Sequence, residues 1–235
     1  MRRRNPDRLQ TIADAALALF TERGYRLTQV ADVAAAAGVS SGTIYNYAVS
    51  KEALLQLAVL QALDRLDGVS VPLPPVDLAG VIAGIDATLT PETTGWPVLH
   101  RATLDATLPW RETLAAVVEE CFAFLSRRYR FIWLLDRLSL EIDDIRRIHV
   151  LGAKTRYLTE LTRFLSLHRP EEPAVVAAVA RGVLEVVVWF AMHRHRDRLF
   201  PDLDDETALR LARDLVLDGA AGQPARPAGD GLTTA

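Results

Sequence analysis

Residues 28–54 read TQVADVAAAAGVSSGTIYNYAVSKEAL, and the interpretation of the whole chain follows from this stretch. Val30, Val33, Ala34 and Ala37 recur at three- and four-residue spacing, so a short helix here has one apolar face. Gly38 can take the left-handed conformation that ends a helix at little cost, and Val39 places an apolar side chain at the corner. Ser40 or Ser41 then offers an oxygen to the free amides of a second helix. Two short helices around a tight turn result, with a further helix starting after Ser50. The second helix, Ser41 to Tyr47, is the unusual one. Ser41, Thr43, Tyr45, Asn46 and Tyr47 can all hydrogen-bond, and only Ile44 is plainly apolar. Seven residues do not hold a helix alone in water. Packing of Ile44 against its neighbours, with an external polar partner for the rest, is the economical reading. Hydroxyl and amide side chains reach phosphate oxygens and base edges in a DNA major groove, and Lys51 adds a point charge four residues beyond Tyr47. The plainer account is a surface helix-turn-helix in an ordinary helical domain, because the same unit occurs outside DNA-binding proteins.

The order of residues adds to this. Phe20, Gly24 and Tyr25 precede Thr28, Val33 and Ala34, and the series continues through Ala37, Gly38, Val39, Ser40, Gly42, Thr43 and Tyr45 to Ser50, Lys51, Glu52 and Leu54. Over roughly residues 5 to 65 the chain resembles the TetR (tetracycline-repressor) family of bacterial transcriptional regulators. The resemblance implies an all-α protein with an N-terminal three-helix DNA-binding head and a larger helical body. It places the DNA interface on Thr28, Ser40, Ser41, Gly42, Thr43, Tyr45, Asn46, Tyr47 and Lys51. Phosphate contacts fall to Thr28, Tyr45, Tyr47 and Lys51, and base reading to Ser41, Thr43 and Asn46. One departure is plain: the family usually has Phe after the position of Tyr47, and this chain has Ala48. The lost volume requires either that Tyr47 turn inward or that the helix sit differently.

The bulk numbers are compatible with such a molecule. The chain has 235 residues, half of them hydrophobic, enough for one large or two small cores. A single cysteine, Cys121, excludes an intrachain disulfide and fits a reducing cytoplasm. The basic start at Arg2, Arg3 and Arg4 runs into Asn5, Pro6 and Asp7 rather than into an apolar segment, so no secretory signal is expected. Residues 1–51 hold six Arg and one Lys against three Asp and one Glu, a charge of +3, which leaves −6 for the rest of a chain whose total is −3. A positive head on a negative body favours phosphate at one end, although chance clustering gives the same asymmetry.

Outward from the quoted stretch, Arg2–Arg4 form a basic arm that suits either a phosphate contact or a solubilising tail. Leu9, Ile12, Ala13, Ala16 and Phe20 mark an amphipathic first helix that Gly24 stops. Ser50 caps a fourth helix running to about Leu66, and the Pro- and Gly-rich segment DGVSVPLPP over residues 67–75 reads as the domain boundary. Helices follow at about 76–90, 98–108, 111–138, 143–168, 172–198 and 204–217, the third with a candidate break at Arg128–Arg130. The expected organisation is a helix-turn-helix domain over 1–51 with a connecting helix over 50–66, a helical ligand-binding and dimerisation domain over 67–217, and a disordered tail over 218–235.

Val175 to Met192 is apolar nearly all round. A membrane span would bury Arg181 and Glu185 near the bilayer centre, so no membrane partner is expected. Such a helix is otherwise covered on every side, either wholly within its own core or with one face on that core and another on a second subunit. The resemblance implies the same homodimer, through the helices at about 172–198 and 204–217.

The remaining chemistry is sparse. His193 and His195 point in different directions on a helix, and with Arg194, Arg196 and Arg198 they read as a solvated helix end. No metal site or cofactor is expected. Glu141, Asp143 and Asp144 fit the first turn of the next helix. If the resemblance holds, the body encloses a pocket for a small-molecule effector. Its candidates are the bulky and isolated polar residues Trp96, His100, Arg101, Asp105, Trp133, Arg181, Glu185, Trp189 and Met192. Arg101 with Asp105, and Arg181 with Glu185, one turn apart, are more simply read as structural ion pairs. The expected function is a ligand-responsive transcriptional regulator, a repressor before an activator, that binds a palindromic DNA operator. A helical-bundle enzyme using the body's acidic and histidine residues, or a module that grips protein, are the alternatives.

Overall fold

The computed structural model describes residues 6–90, 96–199 and 202–220. The basic arm at Arg2–Arg4 and residues 221–235 of the expected tail lie outside them; residues 218–220 are helical. Among the described residues the regular elements are all helices, without a strand. The helices are α1 (Pro6–Leu27), α2 (Val30–Ala36), α3 (Ser41–Ile44), α4 (Lys51–Ala62), α5 (Leu78–Thr88), α6 (Pro97–Leu104), α7 (Trp110–Leu138), α8 (Asp143–Ile145), a π-helix (Arg146–Lys154), α9 (Thr155–Ser166), α10 (Pro173–Ala191), a 3₁₀ turn (His193–Arg196) and α11 (Asp205–Ala220). They divide into two compact units, one of residues 1–96 and 127–159, the other of 97–126 and 160–235.

In the first unit the apolar stripe of α1 meets the broad apolar surface of α4. Ile12, Ala13, Ala16 and Phe20 are fully buried, as are Leu55, Leu57 and Ala58. Helices as short as α2 and α3 are held by their own buried residues, Val33 and Ala34 in α2 and Ile44 in α3, a large apolar side chain adding about 1.5–3 kcal/mol. Polar hooks fix the register: Gln61 Nε2 donates to Asp14 Oδ1 at 2.6 Å, and Arg130 reaches the same oxygen at 3.0 Å. Residues 67–75 belong to this unit rather than separating two others. Leu73 is buried and its N–H donates to the Tyr47 carbonyl at 2.8 Å. The compact units therefore divide the chain differently from a boundary at 67–75, because the later part of α7 and the π-helix join the head.

In the second unit, α10 buries Val176, Ala180, Val183, Val187 and Ala191, while α11 buries Ala208, Ala212 and Val216. Small residues at that spacing let the two helices pack closely. The first half of α7 contributes Leu114, Val117, Val118, Cys121 and Phe122 to this core. Glu120 accepts from the N–H groups of Val98 and Leu99 at 2.9 and 3.1 Å, satisfying free donors at the start of α6.

Several expectations change in detail. Helix α4 ends at Ala62, four residues early, where Asp64 takes a left-handed φ of 54°. Helix α7 runs unbroken past Arg128–Arg130, since arginine is a good helix former. The helix at 172–198 stops at Ala191. Arg194 is not solvated there: it is 6% exposed, donates to the carbonyls of Phe190 and Leu203, and pairs with Asp205. The C-terminal end of α10 is thus closed by a buried guanidinium.

Candidate nucleic-acid interface

The quoted stretch folds from its own caps. Gly38 has φ 64°, and the Val39 N–H donates to the Ala34 carbonyl at 2.9 Å, closing α2. Ser40 is the N-cap of α3: its Oγ accepts from the Thr43 N–H at 3.2 Å and lies 2.9 Å from the Thr43 hydroxyl. Ser50 caps α4, accepting from the Ala53 N–H at 3.1 Å. The recognition helix is shorter than expected, α-helical over Ser41–Ile44 and continuing as turns to Tyr47.

Its faces separate cleanly. Ile44 is fully buried, Tyr47 is 4% exposed and Ala48 is 1% exposed. Ser40, Ser41, Gly42 and Asn46 are exposed, Thr43 and Lys51 are half-buried, and Tyr45 is 50% exposed. The outer side therefore carries hydroxyls, an amide and a phenol on a Gly-thinned surface. Asn46 Nδ2 donates to the Gly42 carbonyl at 3.3 Å, leaving its amide oxygen outward-available.

Two expected phosphate contacts do not fit this geometry. Thr28 is 1% exposed, and its hydroxyl donates to the Gly24 carbonyl at 2.7 Å. It ties the helix-turn-helix to α1. Tyr47 takes the first of the two options left by Ala48: its ring goes inside, because the small residue leaves volume that burial of an aromatic side chain favours filling. Lys51 is also engaged within the head. Its Nζ donates to the Arg26 carbonyl at 3.3 Å and lies 4.5 Å from the centre of the Tyr25 ring.

Other residues of this region were not legible as site residues. Tyr25 donates to Glu52 at 2.5 Å. Burial and the Glu52 carboxylate push the Tyr25 hydroxyl well above its ordinary pKa, while the Tyr25 hydrogen bond holds Glu52 below the usual carboxylate range against a smaller opposing effect of burial. Glu141 does not sit in the first turn of the next helix with Asp143 and Asp144. It contacts the end of α1 instead, accepting from the Arg26 N–H at 2.8 Å.

The pocket candidates are divided between the two compact units. Trp96 and Trp133 belong to the first unit, where Trp96 meets Tyr157 edge-on at 4.6 Å and Trp133 meets Tyr129 at 4.9 Å. His100, Arg101, Asp105, Arg181, Glu185, Trp189 and Met192 belong to the second. Of these, His100 and Arg101 are exposed, and Asp105 turns to Thr107 rather than to Arg101. Arg181 and Glu185 pair with each other on the outer side of α10. Met192 is core, 1% exposed.

Comparison with known proteins agrees with the head. The model of the tetR family of bacterial regulatory proteins matches residues 12–58. The transcriptional repressor KstR2 of Rhodococcus jostii is 31% identical over 186 residues, covering 75% of this chain and 87% of that one. A fatty acid metabolism regulator of Bacillus subtilis is 44% identical over 55 residues, only 23% of this chain and 28% of that one. Among solved structures, a TetR-like regulator from a Rhodococcus species superposes with a TM-score of 0.49 at 18% identity, over 94% of this chain and 100% of that one. With an outward polar helix, its caps and a relative aligned along most of the chain, the conclusion is direct: this chain belongs to the TetR family of bacterial regulatory proteins, a family of DNA-binding transcriptional regulators.

Proposed function

We propose that the protein acts in the cytoplasm as a homodimer that occludes a roughly palindromic operator and leaves it when a small molecule binds the body. It catalyses no reaction in this reading. The observation that carries it is the exposed row Ser40, Ser41, Gly42, Tyr45 and Asn46 above a buried Ile44. Ser41, Thr43 and Asn46 read base edges, and Tyr45 contacts a phosphate with Lys51 supplying nearby positive charge. The hydroxyl roles of Thr28 and Tyr47 are not retained, since both side chains are buried.

The dimer is supported by α10. It is long and apolar enough to cross a membrane by composition, yet only 28% of that window is buried within the protomer. Ala177, Ala178 and Gly182 are exposed beside Val175, and Leu215 of α11 is 56% exposed. A second copy covers such a surface by two-fold symmetry, and two-fold symmetry demands inverted half-sites that present related groove faces, one helical turn or a multiple of it apart. An effector lowers operator affinity only by its differential affinity for the two body conformations.

Selection of duplexes from a random pool, repeated with candidate small molecules, tests the reading. It predicts enrichment of an inverted repeat and loss of enrichment with one class of compound. Failure to enrich any duplex, or enrichment of single half-sites by a monomer, overturns it.

A further inference from the structure

Gly24 interrupts α1 with φ 83° and ψ −179°, and the turn it makes is filled by a residue more than a hundred positions away. A methyl group at Gly24 would sit inside the Glu141 carboxylate, 2.6 Å from Cδ and 2.9 Å from Arg137 Nη2. Glycine is required there twice over, by the positive φ and by the space. The break takes the following amides off the helical ladder, and Glu141 Oε2 accepts from one of them, the Arg26 N–H, at 2.8 Å. Arg137 holds the other carboxylate oxygen at 2.9 Å and donates to the Arg23 carbonyl at 2.5 Å. The Glu141 side chain is 12% exposed and that of Arg137 26%, so the contact is largely shielded from water. One residue earlier, Asp136 Oδ1 pairs with Nε2 of the buried His149 at 2.8 Å and with Lys154 Nζ at 2.5 Å. The last turn of α7 is therefore tied to the π-helix on one side and to α1 on the other. Residues 24–28 carry the chain straight into the α2–α3 pair, with Lys51 holding the Arg26 carbonyl from the far side.

We propose that Glu141, oriented by Arg137, is a positioning residue for DNA binding: its carboxylate sets the direction in which the chain leaves α1 and enters the helix-turn-helix. The inference rests on the function proposed above. It makes the turn after α7 the place where a change in the π-helix region reaches the head, with no contact between Glu141 and DNA itself.

The test compares full-length wild type, Glu141→Ala, Glu141→Gln and Arg137→Gln on the duplex that the wild type selects, with amide hydrogen exchange of residues 25–28 measured without DNA. Glu141→Ala should lose about fivefold or more in affinity, at unchanged sequence preference and unchanged salt slope, and exchange faster at 25–28. Glu141→Gln keeps an oxygen for the Arg26 N–H and should recover most of both. Arg137→Gln should move both readouts the same way by less, and it stands in if Glu141→Ala does not fold. Affinity within about twofold of wild type, an altered salt slope, or unchanged exchange at 25–28 overturns the proposal. If the wild type selects no duplex, the proposed function falls, and the exchange measurement still decides whether Glu141 holds the turn.

Discussion

The hydroxyl of Tyr25 donates to Oε1 of Glu52 at 2.5 Å, joining the last turn of α1 to the first turn of α4 around the helix-turn-helix between them. The two residues bracket the recognition helix. Removing the bond with Tyr25→Phe should lower unfolding stability by about 1 kcal/mol, read from urea denaturation at neutral pH.

The same pair makes a signed pH prediction. Glu52 has a depressed pKa in the fold, so its contribution is present above the unfolded carboxylate value and is lost as pH falls through the folded one. Asp136 follows the same sign: burial raises its pKa, but His149 and Lys154 together bring it below the ordinary value. Tyr25 is raised, so its contribution is intact below the ordinary phenol pKa and declines as pH climbs beyond it. A stability profile from about pH 3 to about pH 11 should fall at both ends, and Tyr25→Phe should flatten the alkaline limb. An alkaline limb unchanged in Tyr25→Phe would contradict the assignment.

On the reading face, Ser41→Ala and Asn46→Ala should shift which operator variants are preferred, each by about 1–3 kcal/mol at its own base pair. Tyr45→Phe should weaken all variants alike. Binding curves on a panel of single-base operator variants separate the two behaviours, and uniform weakening by Asn46→Ala would remove it from base reading.

The uncovered side of α10 and α11 predicts assembly. Leu215→Asp and Ala178→Glu alter exposed positions and should leave the protomer folded, yet yield monomers in sedimentation equilibrium with greatly reduced operator affinity. A dimer unaffected by both substitutions would place the interface elsewhere.

In the core of the first unit, Phe20→Ala should destabilise by about 3–5 kcal/mol, because the side chain is fully buried between α1 and its neighbours. Thermal melting checks this, with a smaller drop expected for Val59→Ala at 8% exposure.

Local pattern carried the head. The spacing of Val30, Val33, Ala34 and Ala37, Gly38 at the turn, and Ser40 and Ser50 before their helices all act within about one helical turn, so sequence spacing and spatial contact coincide. Even Ala48 announced its consequence in part, since a missing aromatic must be replaced, and Tyr47 replaces it. The apolar run of α10 was likewise legible, and most of it stays uncovered within the protomer. Arg194 was misread because the carbonyls and carboxylate it serves include those of Leu203 and of Asp205 at the start of α11.

What the sequence determined by itself was an all-helical chain with a helix-turn-helix near its start and an apolar helix near its end. Only the tertiary structure decided which hydroxyls face outward, that residues 127–159 join the head's unit, and that Glu141 rather than solvent meets Gly24. The physical reason is range. Helix periodicity and capping are settled by neighbours a turn apart, whereas a largely shielded carboxylate finds its amide donor wherever chain packing brings one, here 115 residues away.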